Sequence, residues 1–211
     1  MALKTFGDTN WELEPTSLSR IEVIFEYDYL PLKTFLEVNR IVLDTHDYLI
    51  KLFELDKDPI YKYYRFEVAE LRMGSAIISF EPKFEFPNNT KKTSKLEKAI
   101  KKFALVSAIL GSALLGMEIY KTYLEIKKLK KEETEIKANT KTEIHPTLAD
   151  KAKTAGLNLD SLLSEKNKSY IHSVQDNLRN TVKDKNIYSL RINGQEIQKP
   201  RPKLKGGSFK L

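Results

Sequence analysis

Apolar residues recur along this chain in two rhythms, and the change from one to the other predicts its elements. Ile21, Val23, Phe25 and Tyr27 alternate with Glu22, Ile24, Glu26 and Asp28, which predicts a strand with one strongly apolar face. Pro31 then suits the first turn of a helix. Phe35, Val38, Val42, Leu49, Leu52 and Phe53 follow at helical spacing, and Leu36, Ile41 and Tyr48 widen the stripe. A helix is expected from about residue 31 to 54, ended by Asp56, Lys57, Asp58 and Pro59. Tyr61 to Glu70 reads as a second strand, Arg72 to Ser75 as a turn, and a third strand starts at Ala76 with Pro82 near its end. The pattern predicts a β-α-β-β head with its helix on the apolar face of a small sheet.

Phe103 to Met117 breaks both rhythms, because FALVSAILGSALLGM carries no charge at all. Fifteen helical residues span roughly 22 Å against a hydrocarbon core of about 30 Å. Extension to Tyr123 supplies the missing length, with Tyr120 and Tyr123 at an interface. Ser107 with Gly111, and Ser112 with Gly116, are small residues four apart, a spacing that lets helix backbones approach closely in lipid. Lys98, Lys101 and Lys102 before the segment, and Lys121, Lys127 and Lys128 after it, suit headgroups or another anionic surface. Two other shields from water fit the same pattern: a homo-oligomeric bundle, or the protein's own core. No proline falls between Ser94 and Lys137, so one helix of about forty residues is allowed. Leu96, Ile100, Phe103, Leu110, Leu114, Met117 and Leu124 give it a coiled-coil-like seam.

Beyond a polar linker at 138–143, Thr147 to Thr154 forms a short helical turn ending near Gly156. Ile171, Val174, Leu178 and Val182 mark the narrow stripe of a surface helix over 167–184, opened by Asp160 or Ser164. Asn193-Gly194 between alternating residues predicts a type I′ hairpin. The end of the chain carries Lys199, Arg201, Lys203, Lys205 and Lys210 without an acid, an arm suited to phosphates of nucleic acid or anionic lipid.

Charge sharpens this division. Residues 1–90 hold ten basic and sixteen acidic residues, whereas 91–137 hold twelve and six, and 138–211 fourteen and seven. An acidic head thus joins a basic neck and tail. The chain lacks cysteine, which removes disulfides and thiolate chemistry. Met1 to Ser17 has no basic stretch followed by an apolar run, so no cleavable leader is expected. No phosphate loop, dinucleotide fingerprint, His-Glu-x-x-His or nucleophile signature is present. His46 beside Asp47 has no nucleophile to serve, and His145 and His172 are scattered, so neither a catalytic nor a metal site is expected. Tyr61, Tyr63, Tyr64 and Phe66 stand in acidic surroundings and read as packing rather than base stacking.

The expected protein is α+β, in three parts: a small head over 1–90, a long helix over 91–137 with its apolar segment, and a C-terminal helical and hairpin region over 138–211 with the basic tail from 199. The expected function is non-enzymatic: a membrane-associated interaction and oligomerisation protein, a membrane effector or a component of a larger complex. Its partners would be copies of itself or other proteins, and membrane lipid. The denser lysines upstream of the segment place the head in the cytosol. No cofactor is expected. The alternative is a soluble, cytoplasmic assembly component whose central helix packs in an oligomer and whose tail binds nucleic acid or an acidic partner.

Overall fold

The computed structural model describes residues 3–5, 20–72, 76–87, 90, 93–115, 148–183 and 186–198. The chain runs β1 (Leu3–Thr5), β2 (Ile21–Tyr27), α1 (Leu32–Leu52), β3 (Tyr64–Arg72), β4 (Ala76–Pro87), α2 (Ser94–Leu115), α3 (Leu148–Thr154), α4 (Glu165–Thr181), β5 (Ile187–Ile192) and β6 (Gln195–Gln198), with 3-10 turns at Leu55–Lys57, Tyr61–Tyr63 and Leu159–Leu163. The class is mixed α+β, as the pattern predicts.

All strand pairs are antiparallel, in the order β3-β4-β2-β5-β6, and β1 pairs with the far end of β4. Because β2 and β3 both oppose β4, they point the same way, and α1 carries the chain between them across the intervening strand. Ile21, Val23 and Phe25 of β2 are fully buried, as are Phe80 of β4 and Leu190 and Ile192 of β5. Their alternate neighbours Glu22, Glu26, Glu81 and Arg191 lie on the opposite, wetter face. Pro82 does not end β4, which runs on to Pro87. On one edge of β4 it stands between the stretch paired with β2 and the stretch paired with β1, while on the other edge it opposes Phe66 of β3.

The sheet is shared between residues near both ends of the chain. Val23 pairs with Ile192 and Phe25 with Leu190, so β5 lies between β2 and β6. The Asn193-Gly194 turn forms with φ of 48° and 77°, the left-handed pair that a type I′ hairpin requires. Glycine also supplies the left-handed residue after α3, at Gly156. Thr93 Oγ1 accepts the Leu96 N–H at the start of α2, and Ser164 Oγ accepts the Asn167 N–H at the start of α4.

The apolar segment expected to cross a membrane is instead, over 103–115, the central helix of the domain. Phe103, Val106, Ser107, Ile109 and Leu110 are completely buried. Helix α2 touches β2, β4, β5 and β6 on the sheet side and α1, α3 and α4 around its remaining circumference. A helix enclosed on every side is apolar on every side, and that is the reason its sequence lacks a polar face. No described helix is long and apolar enough to cross a membrane. The continuation of the expected long helix, 116–137, lies outside the described residues.

Candidate functional site

Two of the small residues expected to form a helix-pairing face, Ser107 and Gly111, lie against the molecule's own interior. Ser107 is fully buried, and the Gly111 backbone is approached by Asn193 and Ile21. Ser112 is half-buried and its hydroxyl donates back to the Ala108 carbonyl at 3.3 Å. Of the flanking lysines, Lys98 and Lys101 are exposed on the first turns of α2, while Lys102 is half-buried with its ammonium end close to Gly156. Gly116, Lys121, Lys127, Lys128, Lys199, Arg201, Lys203, Lys205 and Lys210 lie outside the described residues.

The polar centre of the core is His46. Its ring lies parallel to Phe66, centroids 4.0 Å apart, and its Nε2 accepts the Tyr64 hydroxyl at 2.6 Å. On the other side Nδ1 faces Asp47 Oδ1 at 3.4 Å. Burial holds the imidazole down to about 4, against the opposing pull of the Asp47 hydrogen bond and charge. Burial likewise pushes the Tyr64 phenol up; the nearby Ser107 hydroxyl, which meets no partner in full hydrogen-bond geometry, opposes this. The neutral His46 thus fastens α1 to β3 from within the core. No group of three metal-ligating side chains gathers among the described residues. A second aromatic joint, Tyr48 stacked on Tyr170 at 3.8 Å with the Tyr48 hydroxyl donating to Asn167, fastens α1 to α4.

Fixed by these two joints, α1 presents its remaining flank to solvent. At 100° per residue, Leu32, Leu36, Asn39 and Leu43 fall within about 60° of arc. Leu32 is 68% exposed, Leu36 56% and Leu43 38%. The same line continues through His46, covered by Phe66, and Ile50, which is buried with Leu55 and Ile60 of the following loop. Its last turns are therefore covered by the chain itself and its first turns are open. The stacking of His46 on Phe66 shows that this flank faces the β3 side of the sheet. Among the described residues β3 pairs with β4 alone, so it is an edge. Val68 opposes Phe80 and Leu71 opposes Ile78, which puts both on the helix side of the sheet, and both are about half exposed. A register shift between Val68 and Glu70 bends that edge.

Five large apolar side chains are thus exposed on two elements joined at His46: Leu32, Leu36 and Leu43 on α1, and Val68 and Leu71 on β3. Charges of both signs stand beside the α1 leucines: Lys33, Glu37, Arg40, Asp44, Asp47 and Lys51. The helical periodicity of α1 places Leu36 in the buried stripe; the structure places it outside. The signal was there, because apolar positions cover more of this helix than one sheet face can bury.

The fold is α+β, with exposed apolar side chains on α1 and β3. Comparison with family models, with curated proteins and with solved structures yields no match.

Proposed function

We propose that this chain is a non-enzymatic interaction protein, an assembly component that docks another protein surface on the flank of α1 and β3. The observation that carries the reading is the set of five exposed apolar side chains on α1 and on β3, the strand to which His46 ties it. Scattered exposed leucines are ordinary; a rimmed apolar patch built from two elements is the signature of an interface. Leucine at 56% exposure contributes nothing to the core that a polar residue could not replace. The membrane form of this reading rested on 103–117, and residues 103–115 of that segment are occupied by the core.

The test compares the native protein with a variant carrying Leu36→Glu and Val68→Glu, each expressed at its natural level and sized by gel filtration in gentle extracts. The wild-type chain is expected to elute above the mass of one chain, and the variant at that mass. Identical elution of the two, with the variant folded by circular dichroism, defeats the proposal.

A further inference from the structure

We propose that Asn193-Gly194 is a self-modification site that the fold holds closed. Docking of the β5-β6 hairpin on β2 and α2 restrains this asparagine from converting itself to aspartate and isoaspartate, and release of the hairpin starts the reaction. Asn193 is the only asparagine in the chain that is followed by glycine. A glycine has no side chain to shield its backbone nitrogen, which can attack the Cγ carbon of the preceding asparagine. Gly194 is exposed and has open space where a Cβ would stand, so base and water reach that peptide. In the first step the bond from the Gly194 nitrogen to Asn193 Cγ forms and the Cγ–Nδ2 bond breaks. The side-chain nitrogen leaves as ammonia and takes the Gly194 amide proton. Water then opens the five-membered imide at either carbonyl, which gives aspartate or isoaspartate. Ring closure requires the carboxamide to turn over the following peptide, and the structure ties it elsewhere. Its Oδ1 accepts the Glu22 N–H at 2.8 Å, and the Asn193 N–H donates to the Glu22 carbonyl at 2.8 Å. Its Nδ2 lies against α2, 2.7 Å from where a Cβ on Gly111 would stand. The turn itself is held at φ of 48° and 77° by the pairing of Ile192 with Gln195. The Glu22 N–H also polarises the carboxamide, as a donor to a developing oxyanion does. Restraint governs, because polarisation lowers the barrier only after Cγ has reached the Gly194 nitrogen. Isoaspartate adds one backbone carbon to a two-residue turn and sets a carboxylate in place of the amide beside Gly111. Among the described residues β6 pairs with β5 alone, so the modified turn frees β6.

The test maps peptides of the full-length protein by mass spectrometry after incubation in mildly alkaline buffer. In guanidinium, Asn193 should convert to both aspartate and isoaspartate; in the native protein it should do so at least about tenfold more slowly. Gly111→Ala pushes the carboxamide off its seat and should speed the native reaction roughly fivefold, the worth of one hydrogen bond. Leu55→Ala empties a buried site in the loop after α1 and costs the fold as much or more, yet leaves the hairpin contacts in place. It should leave the native rate unchanged. Hydrogen exchange at the Glu22 amide reads the same opening in the wild type and needs no variant to fold. Its protection should match the suppression of the reaction in the native protein. A native rate equal to or above the rate in guanidinium overturns the proposal, as does aspartate without isoaspartate. Equal acceleration by Leu55→Ala and Gly111→Ala overturns it too, and so does suppression that follows the slowest-exchanging core amides instead of Glu22, since global unfolding would then govern the reaction.

Discussion

Adding one methyl group at Gly111 is the sharpest test of where the apolar helix lives. On an open helical surface, Gly→Ala stabilises by about 1 kcal/mol, because alanine loses less backbone freedom on folding. Here a Cβ would lie 2.7 Å from Asn193 Nδ2 and 3.0 Å from Ile21 Cδ1. The isoleucine methyl can swing aside by a few tenths of an ångström. The asparagine cannot, because its Oδ1 accepts the Glu22 N–H at 2.8 Å while its own N–H donates to the Glu22 carbonyl at 2.8 Å. Moving it away gives up a hydrogen bond worth about 1 kcal/mol, and overpacking adds roughly 1–3 kcal/mol. The clash outweighs the propensity gain, so Gly111→Ala should destabilise by about 1–3 kcal/mol, or roughly 2–12 °C in Tm for a chain of this size. Urea unfolding followed by circular dichroism measures it. Asn193→Gly removes the obstacle and tolerates the left-handed φ of 48°. In that background Gly111→Ala should be neutral or stabilising, a coupling of about 1–4 kcal/mol. A stabilising effect in the otherwise wild-type protein would refute the packing of α2 against the hairpin.

Acid should loosen the fold through His46. Its folded value of about 4 lies below the ordinary 6.5, so the unfolded chain binds the proton more readily; the stabilisation is complete above pH 6.5 and is lost as pH falls toward 4. The loss should reach roughly 3 kcal/mol, and urea titrations at several pH values should show this slope vanish in His46→Gln. Ser107→Ala removes a buried hydroxyl without a hydrogen-bond partner and improves helix propensity, so stability should rise by up to about 1 kcal/mol, and a fall in urea midpoint would contradict that reading. Leu110→Ala should cost about 2–5 kcal/mol by calorimetry, since the side chain is fully buried in the central helix. Ending the chain after residue 183 removes β5 with its buried Leu190 and Ile192, and should abolish cooperative unfolding; a truncated chain that still unfolds cooperatively would show the head to be independent.

Elements whose pattern is local were legible in the sequence. Strand β2 alternates, Asn193-Gly194 turns left-handed, Ser164 caps its helix, and each needs only its near neighbours. The apolar run at 103–115 was legible only as a place hidden from water. Uniform hydrophobicity reports that a helix is surrounded and is silent about what surrounds it. The surround here is a sheet completed by pairing Val23 with Ile192, a contact between residues from the two ends of the chain that no local window contains. In the sequence, the small residues of that run read as a helix-pairing face. Serine and glycine at four-residue spacing mark a close approach, and in lipid the approaching body is another helix. At Gly111 the approaching body is the Asn193 side chain of the terminal hairpin. Leu36 was misread for the complementary reason. A helix with apolar residues over more of its surface than one sheet can cover must put some of them elsewhere, and periodicity alone cannot say which. The joints at His46 and Tyr48 fix the rotation of α1, and that rotation turns Leu32, Leu36 and Leu43 outward beside the β3 edge. The exposed flank is therefore a consequence of how the core is locked, and changes that keep both joints can remove its leucines without touching the fold.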